Sequence, residues 1–218
     1  MASCMALSHR QSDVASVEAP DRPDARPRSG GAPRLPRAPL RLGLVRHFEV
    51  THGPPAGWVS VADIARWIED YDAADVRHKP VDLGPLPWPR CISSTAPRAL
   101  TTARALYQGD IETLPQLCEP KLNPFRTGEL RLPFAGWRML LRLAWMTSHS
   151  SQRDVKRTFL AEIERVADRL TEAPDDTLVV SHAGSMMFLR RALIRRGFTG
   201  PRFGIAECGR LYVFTRGA

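Results

Sequence analysis

Two apolar runs in this chain end on histidine. Leu42-Gly43-Leu44-Val45 leads into Arg46-His47, and Leu178-Val179-Val180-Ser181 leads into His182. Short apolar runs of this kind read as strands buried on both faces of a parallel sheet. A strand that finishes on an imidazole delivers it to the carboxyl end of the sheet, where open α/β sheets bind ligands. A third segment, Ser93-Ser94-Thr95-Ala96-Pro97-Arg98, also follows a short apolar run and opens a helical pattern. Two imidazoles and two guanidiniums should therefore converge where strands finish. The partner that suits such a set is a phosphoryl group.

The remaining pattern supplies the elements around them. Spacing predicts strands over 41–47, 90–94, 111–118, 177–181 and 210–215. Helices are expected over 59–71 with Ser60 as N-cap, over 97–107 with Pro97 in the first turn, and over 153–170 and 185–195. Stretches 48–57 and 80–89 read as loops, and 119–133 is broken by Pro120, Pro124, Gly128 and Pro133. Strands alternating with helices imply one domain over 40–218, a three-layer α/β/α sandwich with a mostly parallel central sheet. Residues 1–39 lack hydrophobic periodicity and carry six prolines between Pro20 and Pro39. That extension is expected to be disordered.

Composition removes several function classes. With no apolar run near the roughly 20 residues needed to cross a bilayer, and no apolar signal segment, a soluble, cytoplasmic protein without a membrane span is expected. The four cysteines show no metal-ligand spacing, and Cys91 and Cys118 are expected as small buried hydrophobes in strands. The formal charge is +8, of which residues 1–40, with six Arg against four acids, contribute about +2. No basic block is interleaved with aromatics, so nucleic acid is not an expected partner. A basic surface that draws in anionic substrates accounts for the charge.

An imidazole can attack phosphorus and hold the phosphoryl group covalently. His47 is the candidate nucleophile because it ends a buried strand and follows an arginine. Arg46 and Arg98 offer forked donors matched to phosphate oxygens, and His182 offers one more. A carboxylic acid must protonate the leaving oxygen and later activate water. Glu119 lies just past the third strand, with Glu49 and Glu129 as competitors. His52 and His149 read as loop residues.

Leu44-Val45-Arg46-His47, Ser93-Ser94-x-x-x-Arg98-Ala99-x-x-Thr102-Ala103 and Val179-Val180-Ser181-His182-Ala183-Gly184 resemble the three signature segments of the histidine phosphatase, or phosphoglycerate mutase-like, superfamily. The resemblance runs from about Arg41 onward. It implies that Arg46 and Arg98 bind phosphate, His47 is phosphorylated, His182 completes the pocket, and Leu117-Cys118-Glu119 supplies the acid. It implies no metal and no organic cofactor, and a substrate-shaping cap over about 120–152 that includes the apolar and Arg-rich stretch Gly136–Met146. The substrate would be a phosphorylated small molecule or a phosphoprotein. Departures from the pattern are Phe48 in place of glycine, Gly53 in place of asparagine, and Ala183 where some members carry aspartate. Phe48 and the tryptophans suggest a substrate with an apolar portion. The rival functions are a mutase-like phosphotransferase and a non-catalytic phosphate-ligand module. A homodimer is one assembly open to the chain.

Overall fold

The computed structural model describes residues 39–217, so the expectation of disorder over 1–39 lies almost wholly outside the described residues. In chain order the first elements are β1 (Leu40–Arg46), β2 (Glu49–Val50), β3 (Trp58–Val59), α1 (Val61–Ala73) and β4 (Val76–Arg77). They are followed by β5 (Arg90–Ser94), α2 (Pro97–Leu106) and β6 (Ile111–Leu114). After a 3-10 turn at Pro115–Leu117 come β7 (Leu132–Pro133), α3 (Phe134–Met146), α4 (Ser150–Glu172), β8 (Thr177–Ser181), α5 (Ala183–Arg195) and β9 (Leu211–Arg216).

The main sheet has the order β6-β5-β8-β1-β9. Its first four strands are parallel, and β9 closes the edge antiparallel to β1. Successive side chains of a strand point to opposite faces, and the core divides accordingly. Leu42, Leu44, Ile92 and Val179 pack with Phe159, Ile163 and Leu170 of α4 and with Met186, Leu189 and Leu193 of α5. Val45, Cys91, Leu178 and Val180 pack on the other face with Ala99 and Ala103 of α2. That is the expected three-layer sandwich, and its apolar runs are buried on both sides. Gly43 sits where a Cβ would come within 2.7 Å of the Trp88 ring. Only glycine lets Trp88 lie against the strand there.

The third strand is shorter than its sequence suggests. β6 stops at Leu114 because Pro115 has no N–H for the ladder and tightens the chain into the 3-10 turn. Cys118 therefore lies beyond the strand and is only half buried, with its sulfur 3.2 Å from Ser94 Oγ. It is not the buried strand hydrophobe expected of it. Cys91, inside β5, is.

α1 begins where predicted. Ser60 Oγ accepts from the Asp63 amide at 3.2 Å while the Asp63 carboxylate accepts from the Ser60 amide at 2.9 Å, a capping box. The helix buries no residue completely. It is held instead by a second segment far along the chain. β3 pairs with β7, the Trp137 indole donates to Val59 O at 2.7 Å, and Trp67 meets Phe134 edge-on at 4.7 Å. The stretch expected to act as a cap is thus joined to residues 58–73, a partner that the sequence did not reveal.

Candidate active site

Register brings the two histidines together. Arg46 lies opposite Ser181 in the β1–β8 pairing, and the His47 amide donates to Ser181 O at 3.0 Å. His47 and His182 are therefore adjacent residues on neighbouring strand ends, with ring centroids 5.0 Å apart. Both are buried, 3% and 1% exposed. β5 pairs with β8 on its other side, which places Ser94 next in line.

The tautomers follow from the partners. His47 Nδ1 lies 2.6 Å from Phe48 O, and a carbonyl only accepts, so the proton is on Nδ1. The Nε2 lone pair is left free. His182 Nε2 lies 2.8 Å from Ser94 Oγ, while its Nδ1 is buried without a partner. Ser94 Oγ accepts from the Ala96 amide at 3.1 Å and meets Cys118 Sγ at 3.2 Å, so its hydroxyl can donate to His182 Nε2 when the Cys118 thiol donates to it. With Nε2 accepting from Ser94, the proton of the neutral His182 ring stands on the unpartnered Nδ1.

Burial and charge keep both rings neutral. Desolvation lowers the His47 pKa from 6.5 to about 4, with Arg98 and Arg46 adding to the effect against the opposing Phe48 carbonyl. His182 is pushed to about 2, first by burial, then by His47, Arg98 and Arg46. A neutral imidazole at ordinary pH is the form that can attack phosphorus.

The guanidiniums come from β1 and the first turn of α2. Arg46 Nη1 donates to Ala206 O at 2.9 Å, and Arg98 Nη1 pairs with Asp72 at 2.5 Å. In each the Nε is buried and unpartnered. Thr102 ties the two segments: its Oγ1 accepts from the Phe48 amide and donates to Arg98 O, each at 2.8 Å.

Glu119 arrives by another route. Ser181 Oγ donates to Leu117 O at 2.8 Å and Ser185 Oγ to Cys118 O at 3.0 Å, clamping this loop onto the turn that leaves β8. The Glu119 carboxylate then accepts from the Gly184 amide at 2.6 Å, at the positive end of α5. A Cβ on Gly184 would approach both carboxylate oxygens to 3.1 Å. Glu49 instead faces Arg77 at 3.7 Å and is exposed, and Glu129 is an exposed loop residue. His149 N-caps α4, accepting from the Ser151 amide. His52 lies 6.3 Å from the Trp67 ring.

Two residues of this site carry no sequence signal. Tyr71 lies under the Arg98 guanidinium, 5.2 Å from its carbon. Its hydroxyl pKa is raised by burial, against the pull of the Arg98 and Arg46 guanidiniums. Asp72, the next residue, is the carboxylate on Arg98. Neither belongs to a motif, and each meets Arg98 only through the fold. Phe48, by contrast, is 1% exposed and packs with Val50 and Val76, so it offers no apolar wall to a ligand. Its side chain turns into the core beneath β2 and β4. Two surface hollows, one lined by Leu83, Trp88 and Tyr107 and one by His52, Asp63 and Trp67, include neither His47 nor His182 in their walls.

No protein-family model and no curated protein matches the sequence significantly. Among solved structures, one described as "a putative alpha-ribazole-5'-P phosphatase" from Escherichia coli str. K-12 substr. MG1655 is similar at 20% identity, over 71% of this chain and 79% of that one, with a TM-score of 0.39. Another, described as mycobacterial hydrolase 2, is similar at 17% identity over 74% of each chain, also with a TM-score of 0.39.

Proposed function

We propose that the chain is a phosphomonoester hydrolase that works through a phosphohistidine on His47, as its resemblance to the histidine phosphatase superfamily implies. One observation carries this. Among the described residues, five buried side-chain polar atoms lack a hydrogen-bond partner, and three of them are Arg46 Nε, Arg98 Nε and His182 Nδ1. Buried donors without partners are costly. Three on residues grouped about one free imidazole nitrogen match the three equatorial oxygens of a transferring phosphoryl group.

In the first step the three donors hold the phosphoryl oxygens. His47 Nε2 forms a bond to phosphorus as the ester oxygen leaves with a proton from Glu119. In the second, Glu119 takes a proton from water, whose oxygen attacks phosphorus, and His47 departs as the neutral ring. The Phe48 carbonyl keeps Nδ1 protonated and so stabilises the positive charge that the ring carries while phosphorylated. No metal or organic cofactor enters these steps. The substrate is a phosphorylated small molecule or phosphoprotein selected by the cap, and a cytoplasmic setting accords with an intracellular phosphate ester. Among the described residues no helix is long and apolar enough to cross a membrane.

The test is phosphate release from an aryl phosphate with a chelator present, together with trapping of the labelled chain by quenching in alkaline detergent. Wild type should release phosphate and carry an acid-labile, alkali-stable label, and His47→Ala should do neither. Label on a carboxylate, or undiminished turnover in the variant, would sink the proposal. Transfer to an added alcohol in preference to water would convert it to a phosphotransferase.

A further inference from the structure

α3 is apolar nearly all round. At 100° per residue, Trp137 and Ala144 point inward together, and both are buried. Met139, Leu143 and Met146 point the opposite way, and they are 67%, 54% and 69% exposed. Leu140 flanks them at 40%, and Trp58 on β3 and Leu130 in the loop before β7 stand at 66% and 46%. A helix with apolar residues on its far side belongs in a core or against a partner. Contiguous exposed apolar surface of this kind marks an interaction site.

Charge decides which partner. Arg138 and Arg142 border the stripe on one side, both exposed, and among the described residues neither pairs with a carboxylate. Residues 121–152 hold five Lys or Arg against one acid, Glu129. A second copy of the chain would bring the same guanidiniums, and a net +8 on each subunit, against one another. An apolar face edged by arginine fits an anionic bilayer surface, with the apolar residues entering the acyl boundary and the arginines at the headgroups. α3 has 13 residues, about 20 Å of helix, so it can lie in that plane without spanning it.

We propose that the outward face of α3, formed by Met139, Leu143 and Met146 and edged by Arg138 and Arg142, docks the protein on anionic lipid surfaces. The proposal does not depend on the chemistry assigned to His47. It places the substrate-shaping part of the molecule at a membrane face, and so favours substrates presented there.

The experiment is co-sedimentation of the full chain with vesicles of phosphatidylcholine alone and of phosphatidylcholine mixed with phosphatidylglycerol. Light scattering over a range of protein concentrations gives the molar mass in parallel. The chain should bind the mixed vesicles only, and more weakly as salt rises. Met139→Asp with Leu143→Asp should abolish binding while circular dichroism and melting temperature stay unchanged. Arg138→Gln with Arg142→Gln should weaken binding about thirtyfold and flatten its salt dependence. Failure of the wild type to bind mixed vesicles overturns the proposal, as does a Met139/Leu143 variant that binds equally well. A dimer dissociated by the Leu143 change, without vesicle binding, would assign the face to a second copy.

Discussion

At the carboxyl end of the sheet His47 and His182 are 3% and 1% exposed, while on α3 Met139 and Met146 are 67% and 69% exposed. The first region spends its apolar residues on a two-sided core and holds its polar side chains with short, specific bonds. In the second, formed by β3, α1, β7 and α3, two-residue strands and a helix that buries no residue completely are joined by a few aromatic contacts. The contrast teaches where rigidity is needed. The proposed phosphoryl chemistry requires donors fixed before the substrate arrives, whereas the proposed docking on lipid needs apolar area more than exact placement. Tyr71 and Asp72 are the points at which the second region reaches the first.

The largest test of that division is stability. Leu44→Ala in β1 should cost about 2–5 kcal/mol, because Leu44 is fully buried between β1 and the α4–α5 layer. Leu143→Ala on α3 should stay within about 0.5 kcal/mol. Urea denaturation of both variants reads the difference, and equal losses would mean the two regions are not built differently.

Arg98→Ala should slow phosphate release by about 10²–10³ fold with little change in melting temperature, since on the proposed chemistry its guanidinium serves the ligand rather than the core. Steady-state kinetics and a thermal melt check this together. A fall in melting temperature matching that of Leu44→Ala would place Arg98 among the structural residues instead.

Acid should act on the sheet end. Both histidines have folded pKa values below 6.5, so they are neutral in the folded state while the unfolded chain takes up protons. Their contribution is therefore complete above about pH 6.5 and is lost as pH falls toward the folded value near 4 for His47. For His47 alone the loss is about 3 kcal/mol. A His47→Asn chain should show a flatter fall in melting temperature between these limits, and an unchanged profile would contradict the assignment.

Asp72→Asn is the smallest expected effect. The carboxylate is half exposed, so its pairing with Arg98 contributes up to about 1 kcal/mol. Removing it should change KM for an aryl phosphate several-fold with kcat nearly constant, since one Arg98 donor is released to the ligand. Asp72→Glu should restore the wild-type value.

Much of the site is visible without coordinates because its residues are tied to strand ends. Once Leu42–Val45 and Leu178–Ser181 are read as buried strands, Arg46, His47 and His182 have nowhere to go but the carboxyl edge. Arg98 follows because Pro97 starts a helix directly after β5. Ser94 and Thr102 stand in the same segments, but their bonds to His182 and the Phe48 amide depend on neighbours tens of residues away. The packing of Phe48 against Val50 and Val76 is illegible for a related reason: hydrophobicity says that a side chain wants burial, but not which residues provide it. Cys118 misled because Pro115 ends β6 one turn early.

The sequence alone determines the layered sheet and the three segments that meet at its end, since periodicity and strand termination act over a few residues. Tertiary structure decides which groups act on those segments. The Glu119 carboxylate is set by three bonds from the β8–α5 turn, Arg98 by a carboxylate from α1, and the apolar face of α3 by what fails to cover it. Those are contacts between residues distant in the chain, and their geometry is fixed only when the layers close.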